Sequence, residues 1–396
     1  MTETRQKTIA FSLVACVIVG AVTLLVCEGL VRLAAPQDLS GSWLVLAARG
    51  YEMNRAGATV RHQHGSRVVH YRFNDLHLRG GPIGEGRRVL VLGDSFTFGW
   101  LLEEEETYVH LLEAYADREL GEGAYTFLNG GVEGWGIANQ VAFLEEWGPQ
   151  IRPEMVLVFL GVDDVERSAR SGLYAFASPG GAELEARERR GSRARRLLDG
   201  LPGYPRLLEH SHLVQLAHRV ALSDASASAG AARRTAPDAG AAGRSGAPEA
   251  ARLGQALFRR MKGWCEAHGA ELLVLTTGFH HWYADRLSPG DAAFYAQAED
   301  FFRSEGVPFG DLAADLAAAG PFPESFTLVG GRPNADGGRL IADAAWRWLR
   351  TRLPSGARTP VVQAPVGERR ESVARATSHR APWRPSGTTA ERESRR

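Results

Sequence analysis

The 396-residue chain has few cysteines and no excess of charge of either sign. Its three cysteines are Cys16, Cys27 and Cys265, and the first two lie inside one apolar run, so neither a disulfide framework nor a metal-type Cys/His spacing can be identified. Lys plus Arg equals Asp plus Glu at 46 each, which argues against a nucleic-acid-binding role for the whole chain. We therefore expect no nucleic-acid partner, no cofactor and no metal.

An uncharged run from Thr8 to Cys27 is dominated by Ala, Val, Leu and Ile. This is about the length of a helix that crosses a bilayer. A cleaved signal peptide is one alternative, but the apolar character continues through Leu33, beyond the usual length of such a segment. A lipoprotein signal is another, since residues 13–16 resemble a lipobox, yet a long apolar run follows that cysteine. We predict an uncleaved transmembrane anchor.

The charges around this run predict its orientation. Arg5 and Lys7 precede the span, whereas Glu28, Arg32 and Asp38 follow it. Basic residues are enriched on the cytoplasmic side of membrane helices. The expected protein is single-pass, with its N-terminus in the cytoplasm and its main domain outside, on the periplasmic or cell-surface side.

Beyond residue 86, short apolar runs alternate with amphipathic segments. The predicted strands are Val89–Leu92, Tyr125–Leu128, Met155–Leu160 and Leu272–Thr276, and the predicted helices are Thr107–Leu120, Ile137–Trp147, Leu253–His268, 291–305 and 338–350. Strands that alternate with helices predict a three-layer α/β domain with a mainly parallel sheet.

The organisation along the chain follows from these patterns. We predict an anchor with its cytoplasmic N-terminus at 1–36, a lead-in segment at 37–86 with a weak strand signal over Arg67–Phe73, an α/β domain at 87–353, and a tail at 354–396. A packing helix is expected over Leu207–Leu222. The segment 223–250, rich in Ala, Gly, Ser, Arg and Pro, is expected to be disordered. The tail has nine Arg against four Glu and is either solvated and disordered or attached to an anionic surface.

Ser95 lies in the sequence GDSFTFG, residues 93–99, directly after the first predicted strand. Ligands bind outside the carboxyl ends of the strands in an open parallel sheet. A serine at a strand-to-helix turn there exposes its hydroxyl, and the turn can aim backbone N–H groups at an oxyanion. Gly93 permits the turn, and Asp94 is expected to be a structural hydrogen-bonding residue rather than a base. The position after a buried strand therefore makes Ser95 the candidate nucleophile.

These residues resemble the first block of the SGNH (GDSL) hydrolases, especially a membrane-anchored bacterial group. In that group an anchor ending in Glu-x-x-x-Arg leads to an Asn-x-x-x-Leu-Arg-Gly segment, and here residues 28–32 and 74–80 match these patterns. The second block is similar to residues 129–134, which implies that Gly134 supplies a backbone N–H to the oxyanion hole. An ordinary strand-to-helix turn would also need these glycines. The resemblance covers most of residues 70–165 and implies a flavodoxin-like α/β/α fold and ester hydrolase activity.

The third and fourth blocks of the family are altered. The family reads Gly-x-Asn-Asp, but Asp163 occupies the position of the Asn that donates to the oxyanion. An ionised carboxylate only accepts hydrogen bonds, so Asp163 must be protonated or turned away. The family ends in Asp-x-x-His-Pro-Asn, whereas here Val329 and Arg332 replace the Asp and His and only the Pro and Asn334 remain. Arginine stays protonated and cannot act as a base near neutral pH. We predict instead that Arg332 points into the cleft of Ser95 and that Arg332 and Asn334 contact the substrate.

No histidine occurs between His281 and His379, so a substitute base must come from elsewhere. His280 and His281 follow the fourth predicted strand, at the sheet edge where Ser95 also lies. Either is a candidate base, and the alternative is that both are locally hydrogen-bonded loop histidines. The acids Asp285, Asp311 and Asp336 are expected to be helix caps or solvated turn residues.

Three functions are compatible with this sequence. The first is a membrane-anchored ester hydrolase or acyltransferase that acts on acylated glycans or lipids outside the cytoplasm. The second is a degenerate pseudo-enzyme that binds an acyl-glycan or a partner without turnover. The third, a purely structural anchored domain, is less consistent with the retained Ser95 and Gly134. A basic side chain within hydrogen-bond reach of Ser95 Oγ would distinguish the first two.

Overall fold

The computed structural model describes residues 2–178, 180–188, 197–198, 201, 203–220, 239–282, 287–318, 326–328 and 331–354. Val329, most of the predicted insertion (223–238) and the tail from residue 355 onward lie outside the described residues. The strands are β1 Leu44–Leu46, β2 Glu52–Asn54, β3 Thr59–His64, β4 Arg67–Arg72, β5 Arg87–Leu92, β6 Tyr125–Asn129, β7 Met155–Leu160, β8 Tyr174–Phe176, β9 Leu184–Ala186, β10 Glu271–Thr276 and β11 Phe309–Asp311. The helices are α1 Thr2–Ala34, α2 Ser95–Phe98, α3 Tyr108–Leu120, α4 Ile137–Ile151, α5 Asp164–Ser171, α6 Tyr204–His210, α7 at 212–220, α8 Ala239–Ala267, α9 Phe279–Trp282, α10 Pro289–Tyr295, α11 Ala298–Ser304, α12 Ala313–Ala318 and α13 Ala335–Leu349.

Five strands form one parallel sheet in the order β11-β10-β7-β5-β6. Along β5, Leu90 and Leu92 face a core shared with α4 and α8, whereas Val89 and Val91 face a second core shared with α3 and α13. Because helices cover both faces, the central strands are nearly continuous apolar runs. The prediction of a three-layer α/β fold with a mainly parallel sheet is confirmed.

Helix α1 is apolar and exposed, and its residues Arg5–Ala34 are long and apolar enough to cross a membrane. Signal sequences near an N-terminus can meet the same criteria of minimum length and hydropathy, so the helix is a candidate span. Its last turns contact the main domain, since the Glu28 carboxylate accepts hydrogen bonds from the Ser211 hydroxyl at 2.7 Å and from the backbone N–H groups of His212 and Leu213.

The structure corrects several predicted elements. Strand β11 was not predicted, because its three residues are too few to show an alternation of apolar and polar side chains. The helix predicted over Leu207–Leu222 is divided at Ser211, whose hydroxyl accepts a hydrogen bond from the Val214 N–H and so starts α7. The helix predicted over 291–305 is likewise divided, into α10 and α11.

Helix α8 begins at Ala239, inside the segment 223–250 that the composition predicts to be disordered. The side chain of Ala250, one of the small residues that suggested disorder, lets this helix approach α10 closely. Ala250 is buried, and a Cβ on Gly290 of α10 would come within 2.8 Å of the Ala250 methyl group. The small residues Ala250 and Gly290 therefore permit close packing of α8 against α10.

The lead-in segment forms two antiparallel hairpins, β1–β2 and β3–β4. The Tyr71 ring of β4 contacts the Phe98 ring of α2 edge-on at 4.8 Å between centroids. Arg79 is fully buried, and its guanidinium donates to the carbonyls of Phe98, Gly99 and Leu102. The segment before the sheet thus supports the turn that carries Ser95.

Candidate active site

Ser95 is the first residue of α2, on the turn that follows β5, and is 4% exposed. The Asp94 carboxylate caps this short helix by accepting the Phe96 N–H at 2.9 Å. A side chain at Gly93 would collide with the Thr97 hydroxyl, so the turn requires glycine there. Asp94 therefore has the structural role that its position predicted.

The loop that contains Gly134 packs directly on this turn. A Cβ on Gly131 would overlap the backbone of Thr97 and Phe98, and the Val132 N–H donates to the Gly93 carbonyl at 3.3 Å. Gly134 itself has a φ of 78°, a conformation that glycine adopts without strain. These contacts bring the loops of Ser95 and Gly134 together, and the approach of the Gly134 N–H to Ser95 Oγ stays a prediction.

Asp163 occurs at the start of α5, and Arg167, one turn later, faces it. The Arg167 guanidinium lies 3.4 Å from Asp163 Oδ2 and 2.8 Å from Asp94 Oδ2, and it donates to the Trp135 carbonyl at 3.2 Å. Of these partners, Asp94 precedes Ser95, Trp135 follows Gly134, and Asp163 is at the altered donor position. Arg167 thus contacts all three segments that resemble the first three blocks of the family. The sequence analysis did not predict this role. A signal was present, because Arg167 lies four residues after Asp163, which is the spacing of an ion pair within a helix.

The cluster contains one cation, Arg167, and three carboxyl groups, those of Asp94, Asp163 and Asp164. Burial opposes the charged form of Arg167, but the carboxylates of Asp94 and Asp164 raise its pKa above the usual arginine value. Asp164 is fully buried and accepts the Gly161 N–H at 2.8 Å. Burial, reinforced by Asp94, raises the Asp164 pKa well above the usual range of a carboxyl. One guanidinium therefore faces three carboxyl groups, at 2.8 Å from Asp94, 3.4 Å from Asp163 and 3.7 Å from Asp164.

Arg332, which the sequence predicts at the position of the family's histidine, is held by two contacts. Its guanidinium donates to Glu133 Oε1 at 2.9 Å and lies 4.4 Å from the centre of the Trp100 ring. Burial raises the pKa of Glu133, an effect that the charge of Arg332 opposes. Because Glu133 precedes Gly134, this ion pair borders the candidate oxyanion loop. Asn334 caps α13 by accepting the Gly337 N–H at 2.9 Å. A substrate contact by Arg332 or Asn334 stays a prediction.

His280 and His281 share the carboxylate of Asp311 at the end of β11. His281 Nε2 lies 3.0 Å from Asp311 Oδ2 and His280 Nε2 lies 3.6 Å from the same oxygen. The other oxygen, Oδ1, accepts the Thr276 hydroxyl at 2.6 Å and the Ala313 N–H at 3.0 Å. Although burial acts in the opposite direction, the interactions with His280, the Thr276 hydroxyl and His281 lower the pKa of Asp311. Asp311 thus accepts the N–H of the first residue of α12, but the sequence did not predict its pairing with both histidines.

Two ring contacts connect this cluster with the family blocks. Phe279 meets Phe96, the residue after Ser95, edge-on at 4.8 Å between centroids. The His280 ring is parallel to the Tyr295 ring at 4.1 Å, and the Tyr295 hydroxyl donates to the Gly161 carbonyl of the third block at 2.7 Å. His280 is 8% exposed, and its Nδ1 atom is buried with no hydrogen-bond partner among the described residues.

A parallel sheet covered by helices, with a serine on the turn after a central strand, defines a hydrolase-type α/β scaffold. Among solved structures, that of TesA is 17% identical with a TM-score of 0.40, and the match covers 67% of this chain and 99% of that one. A mutant of Axe2, an acetylxylan esterase from Geobacillus stearothermophilus, is 15% identical with a TM-score of 0.39, covering 70% of this chain and 99% of that one. No curated protein matches the chain.

The sequence model of the GDSL-like lipase/acylhydrolase family matches residues 91–340. This chain belongs to that family. The matched region begins in β5 and ends in α13, so it includes the serine turn, the Gly134 loop, Asp163 and the cluster of His280, His281 and Asp311.

Proposed function

We propose that the protein is a membrane-anchored ester hydrolase in which Ser95 is the nucleophile and His280, oriented by Asp311, is the general base. Its substrates would be acyl esters of glycans or lipids outside the cytoplasm, where the predicted topology puts the domain. The proposal rests on two contacts around His280. The preceding residue, Phe279, packs against Phe96 of the serine turn. The His280 ring packs against Tyr295, whose hydroxyl donates to the Gly161 carbonyl of the third block.

His280 Nδ1 has no hydrogen-bond partner among the described residues, Ser95 included, so the proposed proton transfer requires Nδ1 and Ser95 Oγ to approach each other in the substrate complex. When Nε2 carries the ring proton and faces Asp311, the lone pair is on the buried Nδ1 atom. The 3.6 Å separation of Nε2 from Asp311 Oδ2 is longer than a hydrogen bond. Such contacts often shorten in the substrate complex, because the imidazole becomes charged there. Asp311 then stabilises the imidazolium.

The reaction has two halves. Ser95 Oγ attacks the acyl carbon as His280 Nδ1 takes the hydroxyl proton, and backbone N–H groups of Ser95 and Gly134 bind the oxyanion. The C–O bond of the ester then breaks, and the departing alkoxide receives the proton from His280. Water, deprotonated in turn by His280, hydrolyses the acyl-serine and restores the enzyme. Arg167 offsets the negative charge of Asp163, which would otherwise oppose the oxyanion.

Hydrolysis of p-nitrophenyl acetate by the full-length protein in detergent tests the proposal. Replacing Ser95 with Ala or His280 with Asn should each lower the rate by about a thousandfold or more, because a nucleophile without its base retains little activity. His268→Asn is the matched control, since His268 is an exposed histidine that stacks on Trp264 at 4.0 Å, away from the cluster. Ser95-dependent hydrolysis that survives His280→Asn would exclude His280 as the base.

The alternative function is binding of an acyl-glycan or a partner without turnover. The Arg332–Glu133 ion pair favours it, because it occupies the place of the usual histidine and is already neutralised. Under this alternative the parent hydrolyses p-nitrophenyl acetate no faster than Ser95→Ala, and a fluorophosphonate probe leaves Ser95 unlabelled. Labelling of Ser95 in the parent, abolished in Ser95→Ala, would contradict it.

A further inference from the structure

We propose that His280, His281 and Asp311 form a binding site for a divalent transition-metal ion of the zinc type, and that the bound ion inhibits the enzyme. The site goes beyond the family assignment, and its inhibitory effect rests on the proposed function. It lies at the carboxyl edge of the sheet, at the junction of β10 with α9 and at the end of β11.

Three ligand atoms converge there. The Nε2 atoms of His280 and His281 lie 3.6 and 3.0 Å from Asp311 Oδ2. All three atoms fall within 4.8 Å of one another. Zinc bonds of about 2.1 Å in a tetrahedron put neighbouring ligand atoms about 3.4 Å apart. The three ligand atoms are therefore already close to the spacing that a bound ion requires.

The ligands are also held in place by their surroundings. Thr276 and the Ala313 N–H occupy Asp311 Oδ1, so Oδ2 is the oxygen presented to both histidines. The ring of His280 is fixed by its parallel contact with Tyr295. Contacts of this kind orient metal ligands and raise their affinity. Two adjacent histidines that meet one carboxylate oxygen thus form a preoriented set.

The chemistry of the set selects the ion. Two imidazoles and one carboxylate suit Zn²⁺, Co²⁺ or Ni²⁺, whereas Mg²⁺ and Ca²⁺ prefer oxygen ligands alone. Three protein ligands leave a fourth position for water, as in open zinc sites. The side chains of His281 and Asp311 are 57% and 36% exposed, so an ion reaches the site from solvent.

Inhibition follows from the tautomer of His280. A metal ion uses the Nε2 lone pair, and the neutral ring then carries its proton on Nδ1. The proposed base needs the opposite arrangement, with the proton on Nε2 and the lone pair on Nδ1. Metal binding and proton transfer from Ser95 therefore exclude one another. At a free metal concentration ten times its dissociation constant, the rate should fall about tenfold by mass action.

The test uses the full-length protein without a histidine tag, stripped of metal by a chelator that is then removed. Co²⁺ binding is followed by visible absorption and Zn²⁺ binding by calorimetry, for the parent, Ser95→Ala, His281→Asn and His268→Asn. We expect one tight equivalent in the parent, in Ser95→Ala and in His268→Asn, and at least tenfold weaker binding in His281→Asn. Equal affinity in the parent and His281→Asn, or no binding by the parent, would overturn the site.

Hydrolysis measured at the same metal concentrations distinguishes a failure of the metal-site proposal from a failure of the proposed function. We expect inhibition of the parent to follow the binding curve, and to need at least tenfold more Zn²⁺ in His281→Asn than in the parent. Binding that depends on His281 but leaves Ser95-dependent hydrolysis unchanged would refute inhibition and the role of His280 as base, while the metal site would stand. If the parent shows no Ser95-dependent hydrolysis, the proposed function and the inhibition are both refuted. The metal site is then judged from the Co²⁺ and Zn²⁺ binding measurements alone.

Discussion

Replacing Arg167 with Met tests the charge balance around the serine turn. The substitution preserves the aliphatic part of the side chain but removes the cation that contacts Asp94 at 2.8 Å and Asp163 at 3.4 Å. The Asp94 side chain is only 6% exposed, so its carboxylate would be left almost without solvent and without a counter-ion. The protein should therefore lose stability well beyond the effect of a surface ion pair.

The size of the stability loss depends on how deeply the charged groups are buried. Removing one partner of a buried ion pair costs about 3–5 kcal/mol. The Arg167 side chain is 26% exposed and Asp163 is 45% exposed, so water partly screens the cluster. We therefore expect a loss of about 2–3 kcal/mol, which corresponds to a fall in Tm of roughly 3–5 °C for a folded region of this size.

The assay is urea and thermal unfolding of the full-length protein in detergent, with Arg347→Met as the matched control. Arg347 pairs with Asp315 at 2.8 Å, but the two side chains are 53% and 43% exposed, so its loss should cost less than about 1 kcal/mol. In a double-mutant cycle, Asp94→Asn should restore part of the stability lost in Arg167→Met, because it removes the unpaired charge. Equal effects of the two arginine substitutions, or additivity of Arg167→Met and Asp94→Asn, would refute the reasoning.

Three further predictions follow from the structure. Burial lowers the pKa of His62 from 6.5 to about 4. The unfolded chain therefore binds the proton first as the pH falls from 6.5 towards 4, and stability should decrease by up to about 3 kcal/mol. Urea unfolding at several pH values should show a smaller decrease in His62→Gln, and an identical pH dependence would contradict this. Gly131→Ala should cost about 1–3 kcal/mol, because its Cβ overlaps the Phe98 backbone, whereas Gly263→Ala, which meets no atom within 4 Å inside α8, should be neutral or stabilising in thermal unfolding. Deleting residues 2–26 should move the chain from the membrane fraction to the soluble fraction, while protease added to intact spheroplasts should degrade the parent domain; a protein missing these residues when purified from cells would instead indicate a cleaved signal sequence.

Local sequence patterns were sufficient for the main architecture. The runs in β5, β6, β7 and β10 are short, apolar and bounded by polar residues, because each strand is buried on both faces. The serine turn was recognisable because the requirements of a tight strand-to-helix turn act over a few neighbouring residues. The short strand β11 lacked such a signal, since three residues that include a glycine show no periodicity.

The relations among charged and titratable groups were decided by the tertiary structure. Arg167 and Asp94 are 73 residues apart in sequence, and Arg332 and Glu133 are 199 apart, so no local pattern indicated either pair. Asp311 meets the histidines only because β11 lies beside β10, with Thr276 and Asp311 in register at the end of the two strands. The sequence by itself determined the four longer strands of the sheet, the fold class and the candidate nucleophile, because these depend on hydrophobic periodicity and turn chemistry over short distances. The partners of the arginines and of the histidine pair were decided only by the order of the strands, which brings distant residues to one edge of the sheet.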